Sequence, residues 1–114
     1  MSKERDAILQ GTLDLLILRM LLLGDQHGQG IGRAIQERSG DSIIVDHGSL
    51  YPALRRLEEG ALIKGSWGVS ENNRRARYYS LTAAGRRRVS ADADRWNRLV
   101  DSIARVLGPE LAGS

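Results

Sequence analysis

Two arginine clusters stand out by residue type and spacing. Arg55 and Arg56 sit side by side in "HGSLYPALRRLEEGALI", and Arg74, Arg75 and Arg77 fall within four positions in "ENNRRARYYSLT". A guanidinium is planar, permanently charged and carries its N–H donors in a fixed fork. Its chemistry is therefore the recognition of phosphates and of the O6 and N7 edge of guanine. No cluster of acid, base and nucleophile accompanies the arginines, so an enzyme is disfavoured. His27 and His47 lie twenty positions apart without supporting ligands, and cysteine is absent, so neither a metal site nor a disulfide is expected and no cofactor is implied. The glycines of "HGQGIG" resemble a phosphate loop, but no Lys-Ser/Thr follows and no strand is expected before them. They read instead as a tight turn with close helix packing through Ile31, Ala34 and Ile35.

The elements that position these arginines belong to a short chain. Its 114 residues are the size of one ordinary domain. A hydrophobic content of 41% with 27% charged residues fits a soluble globular protein and argues against disorder. Lys and Arg total 17 against 14 acids, a net charge of +3, so position rather than total charge must decide what the arginines do. The absence of cysteine fits a reducing cytosol, and a cytoplasmic location is expected. The run "TLDLLILRMLLLG" is too short to span a bilayer and is interrupted by Asp14 and Arg19, so no membrane association is expected.

That run reads as a first helix capped by Thr12. Leu13, Leu16, Ile17, Met20 and Leu21 fall on one face, with Leu15, Leu18 and Leu22 on the other. A helix apolar nearly all round must be covered all round, and a partner subunit is expected over Leu15, Leu18 and Leu22. A second helix is expected over residues 28–38, and "SIIVD" is a connector or a short strand. The third helix holds Arg55 and Arg56. Pro52 is best tolerated in a first turn, which favours Ser49 as its cap, with Asp46 as an earlier alternative. At 100° per residue, Leu50, Leu54 and Leu57 share the inward side while Ser49, Pro52, Arg55 and Arg56 face outwards, flanked by Tyr51.

"LIKGSWGVS" and "RARYYSLT" are strand-like runs joined by the polar turn "ENNR", which predicts a β-hairpin carrying Lys64, Arg74, Arg75 and Arg77. From the cap Thr82 a helix of roughly 25 residues, about 38 Å, runs to Leu107, weakened at its start by Gly85. Val89, Ala93, Trp96, Val100, Ile103 and Leu107 follow a heptad seam that seeks another helix. The fold class is thus mainly α with a small β-hairpin: a winged helix-turn-helix over residues 1–82, a C-terminal dimerisation helix over 83–108 and a frayed tail over 109–114.

In that arrangement the third helix enters a DNA major groove and the hairpin lies along the backbone. Ser49, Tyr51, Pro52, Arg55, Arg56, Lys64, Arg74, Arg75 and Arg77 are the candidate contacts to double-stranded DNA; the alternatives are an architectural binder that reads no bases and a winged-helix protein-interaction module. The alternative for Arg55 and Arg56 is surface pairing with Glu58 and Glu59. "GRRRVS" at Arg86–Arg88 is either a third basic contact or a solvated face.

The blocks "GTLDLLILRMLLLGDQHGQGI", "GSLYPALRRLEEGALI" and "WGVSENNRRARYYSLTAAGRR", followed by a short terminal helix with Trp96, resemble the PadR family of bacterial transcriptional regulators in its short form. The resemblance covers about Gly11 to Leu107, with an aromatic of the family pattern replaced by Gln29. It implies a homodimeric repressor acting on two half-sites, with the terminal helix and the partner's first helix making the dimer, and a response to small molecules such as phenolic acids or drugs. Trp96, between Ala93 and Val100 on the seam, either packs within the interface or, with its partner copy, lines an apolar slot for a planar aromatic effector.

Overall fold

The computed structural model of the chain describes residues 3–110, with side chains from Gly11 onward; residues 111–114 of the expected tail lie outside the described residues. The elements run α1 (Lys3–Leu23), β1 (Gln26–His27), α2 (Gly28–Arg38), α3 (His47–Glu59), β2 (Ile63–Val69), β3 (Arg75–Leu81) and α4 (Ala83–Leu107). This is the expected winged helix-turn-helix with its long C-terminal helix, plus one strand. β1 pairs antiparallel with β3, Gln26 opposite Tyr79 and His27 opposite Tyr78, giving a sheet of order β1-β3-β2. A two-residue polar strand carries no alternation to announce itself.

α1 forms the centre of the domain because its apolar surface is too broad for one neighbour. It packs against α2, α3 and α4. Leu13, Ile17, Met20 and Leu21 are buried with Ile31, Ile35, Leu50, Ala53, Leu54, Leu57 and Ile63. Leu18, expected on the side left for a partner, is only 1% exposed and belongs to the chain's own core; Leu15 is half-buried and Leu22 is 40% exposed. Thr12 is an interior residue of α1, not its cap, because the helix already begins at Lys3. Among the described residues, no helix is long and apolar enough to cross a membrane.

Short polar caps set the remaining helices. His27 caps α2, its Nδ1 accepting from the Gly30 amide at 3.1 Å. Asp46, the earlier of the two expected caps, starts α3: its Oδ1 accepts from the Ser49 amide at 2.8 Å. Ser49 is therefore inside the helix, and Pro52 lies beyond the first turn, where it leaves the Gly48 carbonyl without its usual donor. Ser42–Asp46 is a connector without regular structure.

Thr82 caps α4 by accepting from the Gly85 amide at 3.0 Å, and the same hydroxyl donates to the Ala61 carbonyl at 2.7 Å. The Thr82 amide donates to the Leu62 carbonyl at 3.1 Å. A side chain at position 85 would collide with that carbonyl, so Gly85 allows the close approach that seats the helix. Val89, expected on the intersubunit seam, is 2% exposed and closes the chain's own core. Farther along α4 the apolar side chains of Trp96, Leu99, Val100, Ile103 and Leu107 are about half exposed.

Candidate nucleic-acid interface

The apolar positions of α3 determine which arginine is free. With Leu50, Ala53, Leu54 and Leu57 turned inward, Ser49, Pro52 and Arg55 lie on the exposed side. Arg55 makes no ion pair among the described residues. Arg56 does not share its outward direction: its Nη2 donates to Asp14 Oδ1 of α1 at 2.9 Å, and both side chains are about one-third exposed. Burial raises the Asp14 carboxyl above its ordinary value of 3.8, outweighing the opposing bond and charge of Arg56. The pair thus gains little stability from its charges and serves to orient Arg56. The surface pairing of Arg55 and Arg56 with Glu58 and Glu59 is absent among the described residues.

Glu58 instead reaches the wing, where its Oε2 accepts from Arg77 Nη2 at 2.6 Å. That hydrogen bond raises the Arg77 pKa further above its usual value. Arg77 is consequently committed to α3, whereas Arg74 and Arg75 are exposed. The register places Trp67 opposite Arg77 and Lys64 opposite Ser80. Side chains alternate along a strand, so Lys64 projects from the opposite face of the hairpin to Trp67, Arg75 and Arg77. The nine candidate residues therefore do not form one surface.

Between the wing on one side and α2 with Tyr51 of α3 on the other lies an open cleft of about 500 Å³, lined by Tyr51, Trp67, Arg33, Arg74, Arg75 and Arg77 among others. Tyr51 stands edge-on to His47, with ring centres 5.6 Å apart, and packs over Gly28. Burial raises the pKa of Tyr79, at the base of the cleft, against the effect of Arg77. Arg33 and Trp67 were missed from sequence; Trp67 in a strand run facing an arginine-rich one was the available signal. All three arginines of the "GRRRVS" run are exposed, and Arg88 also donates to Asp92 at 2.9 Å within α4.

A second cleft of about 400 Å³ lies between α1 and α4, where Leu15, Asp92, Trp96 and Leu99 meet. Of the expected slot residues, Trp96 lines it, whereas Ala93 and Val100 do not. Asp92 Oδ1 is buried there without a hydrogen-bond partner among the described residues, 3.6 Å from Arg95 Nη1.

An exposed arginine helix beside a basic hairpin, on a compact three-helix core, defines a winged-helix regulator. The model of the transcriptional regulator PadR-like family matches residues 17–91, and the chain belongs to that family. Its fold is similar to that of a transcriptional regulator from Clostridium thermocellum, at 28% identity and a TM-score of 0.76, with 85% of this chain and 94% of the other covered. It is also similar to a PadR family transcription regulator from Clostridium difficile, at 30% identity and a TM-score of 0.74, covering 84% and 98%. An uncharacterised protein of Lysinibacillus sphaericus is 29% identical over 99 residues, 87% of this chain and 91% of that one. A transposon-encoded protein of Streptomyces fradiae is 38% identical over 96 residues, which span 26% of its length.

Proposed function

We propose that this PadR-like transcriptional regulator is a homodimeric, sequence-specific repressor that a small aromatic effector releases from its operator. The observation that carries the DNA reading is Arg55, exposed on the outer side of α3 and without an ion pair among the described residues, with Arg74 and Arg75 across the cleft from Tyr51 of that helix. Arg55 reads a base edge in the major groove, with Ser49, Tyr51 and Pro52 beside it, while Arg74 and Arg75 meet phosphates. Arg56 and Arg77 are oriented by their ion pairs with Asp14 and Glu58 rather than left free to read bases. Lys64 reaches the backbone from the hairpin's other face.

The half-exposed apolar row from Trp96 to Leu107 supports the dimer, because a second copy related by a twofold axis would cover it. The two copies of α3 then lie about one DNA turn apart, roughly 34 Å, or a multiple of it. An effector stacked at Trp96 acts by fitting one spacing better than another. Saturable tryptophan quenching by planar aromatics should be lost in Trp96→Leu, leaving only the quenching of the exposed Trp67.

The test of function is selection of duplexes from a random pool at near-physiological salt. An enriched inverted repeat with a spacing of about one helical turn is the expected result. Retention without an enriched motif would replace this reading with a purely architectural DNA binder, and no retention would reject DNA binding.

A further inference from the structure

The cleft-facing side of the hairpin holds an arrangement that the reading of bases and phosphates does not by itself require. Trp67 is 58% exposed on β2, at a position where the core no longer supports it. Its indole is not idle. The Arg75 guanidinium carbon lies 4.3 Å from the ring centre and that of Arg77 lies 5.5 Å away, both within cation–π range. Two like charges on one ring would repel. Glu58 offsets one of them by holding Arg77. Arg75 has no such partner among the described residues.

The series Glu58, Arg77, Trp67, Arg75 therefore runs from the end of α3 to the exposed edge of the wing. A guanidinium lying against a ring is attracted through its face, while its N–H bonds point out in its own plane. We propose that Trp67 is a positioning residue for DNA binding, holding Arg75 against the indole so that its N–H edge is presented to a phosphate. The proposal rests on the DNA-binding reading above. Trp67 supplies no charge of its own, and with Arg77, the other cation on its ring, held by Glu58, its effect passes through Arg75. An arginine already ordered before contact loses less conformational freedom on binding.

The test is a double-mutant cycle on one duplex retained by the wild type, with the affinity of each full-length variant measured across a range of salt concentrations. Trp67→Leu and Trp67→Thr remove the ring; the second keeps a residue that favours strands. Each should weaken binding about threefold, as expected for loss of an exposed cation–π contact. Trp67→Phe should recover part of the loss because it keeps a ring. Arg75→Ala should lower the slope of log affinity against log salt by about 0.9, one phosphate's share. In the Trp67→Leu background the same substitution should cost less than it does in the wild type. Equal losses from Arg75→Ala in both backgrounds would overturn the proposal and give the indole a DNA contact of its own. Failure of Trp67→Phe to improve on Trp67→Leu would overturn it as well. Absence of binding by the wild type would instead overturn the underlying DNA-binding reading.

Discussion

α3 and α4 both carry an apolar stripe, but the chain covers only one of them. On α3, Leu50, Ala53, Leu54 and Leu57 are buried against α1 and the rest of the core. On α4, coverage ends near Val89, and Trp96, Leu99, Val100, Ile103 and Leu107 remain about half exposed. The difference separates two uses of the same helical periodicity. One stripe fixes the direction of a polar face; the other stays half exposed along its length.

The comparison breaks most sharply in stability. Leu54→Ala should lower the unfolding free energy by about 2–5 kcal/mol in a urea titration, since it empties a fully enclosed site. Ile103→Glu should weaken the proposed dimer by about 2 kcal/mol or more in sedimentation equilibrium, since it sets a charge into the middle of the uncovered row. If Ile103→Glu left the association state unchanged, the α4 stripe would not be an interface.

Arg55→Ala should cost about 1–3 kcal/mol on the selected operator and relax preference at one base position. A loss of the same size on unrelated duplexes would make Arg55 a phosphate contact. The smallest effect is expected at the root of α3. Asp14→Asn should change stability by less than about 1 kcal/mol, because the pair with Arg56 is partly open to water. Its pH dependence has a definite sign. The raised Asp14 value means that the folded state holds this proton more tightly than the unfolded chain does. The associated stability is complete below pH 3.8 and is lost as pH rises through the raised folded value. That component should vanish from the pH–stability curve of Asp14→Asn.

Local signals in the sequence carried much of the architecture. The spacing of Leu50, Leu54 and Leu57 identified the inner side of α3, Thr82 marked the start of α4, and the polar turn joined two strands. Pairings between distant residues were not readable. Asp14 and Arg56 are 42 positions apart, and Glu58 and Arg77 are 19 apart; any of several exposed arginines had an equal claim on those acids. Leu18 and Val89 fit apolar patterns that continue to exposed residues, so periodicity alone could not locate the boundary between a subunit's own core and an uncovered surface.

The seat of Gly85 against Leu62 gives α4 the mechanics of a lever. Its fulcrum is the short segment Ala61–Leu62, within the turn that ends α3, where Thr82 and Gly85 also make their contacts. From Gly85 to Leu107 the arm is about 33 Å long at 1.5 Å per residue. A tilt of about 5° at the root would move its far end by about 3 Å. Leverage of this kind links any reseating of the exposed arm to the C-terminal end of α3 through the backbone contacts at Leu62, alongside the packing of Val89 in the core.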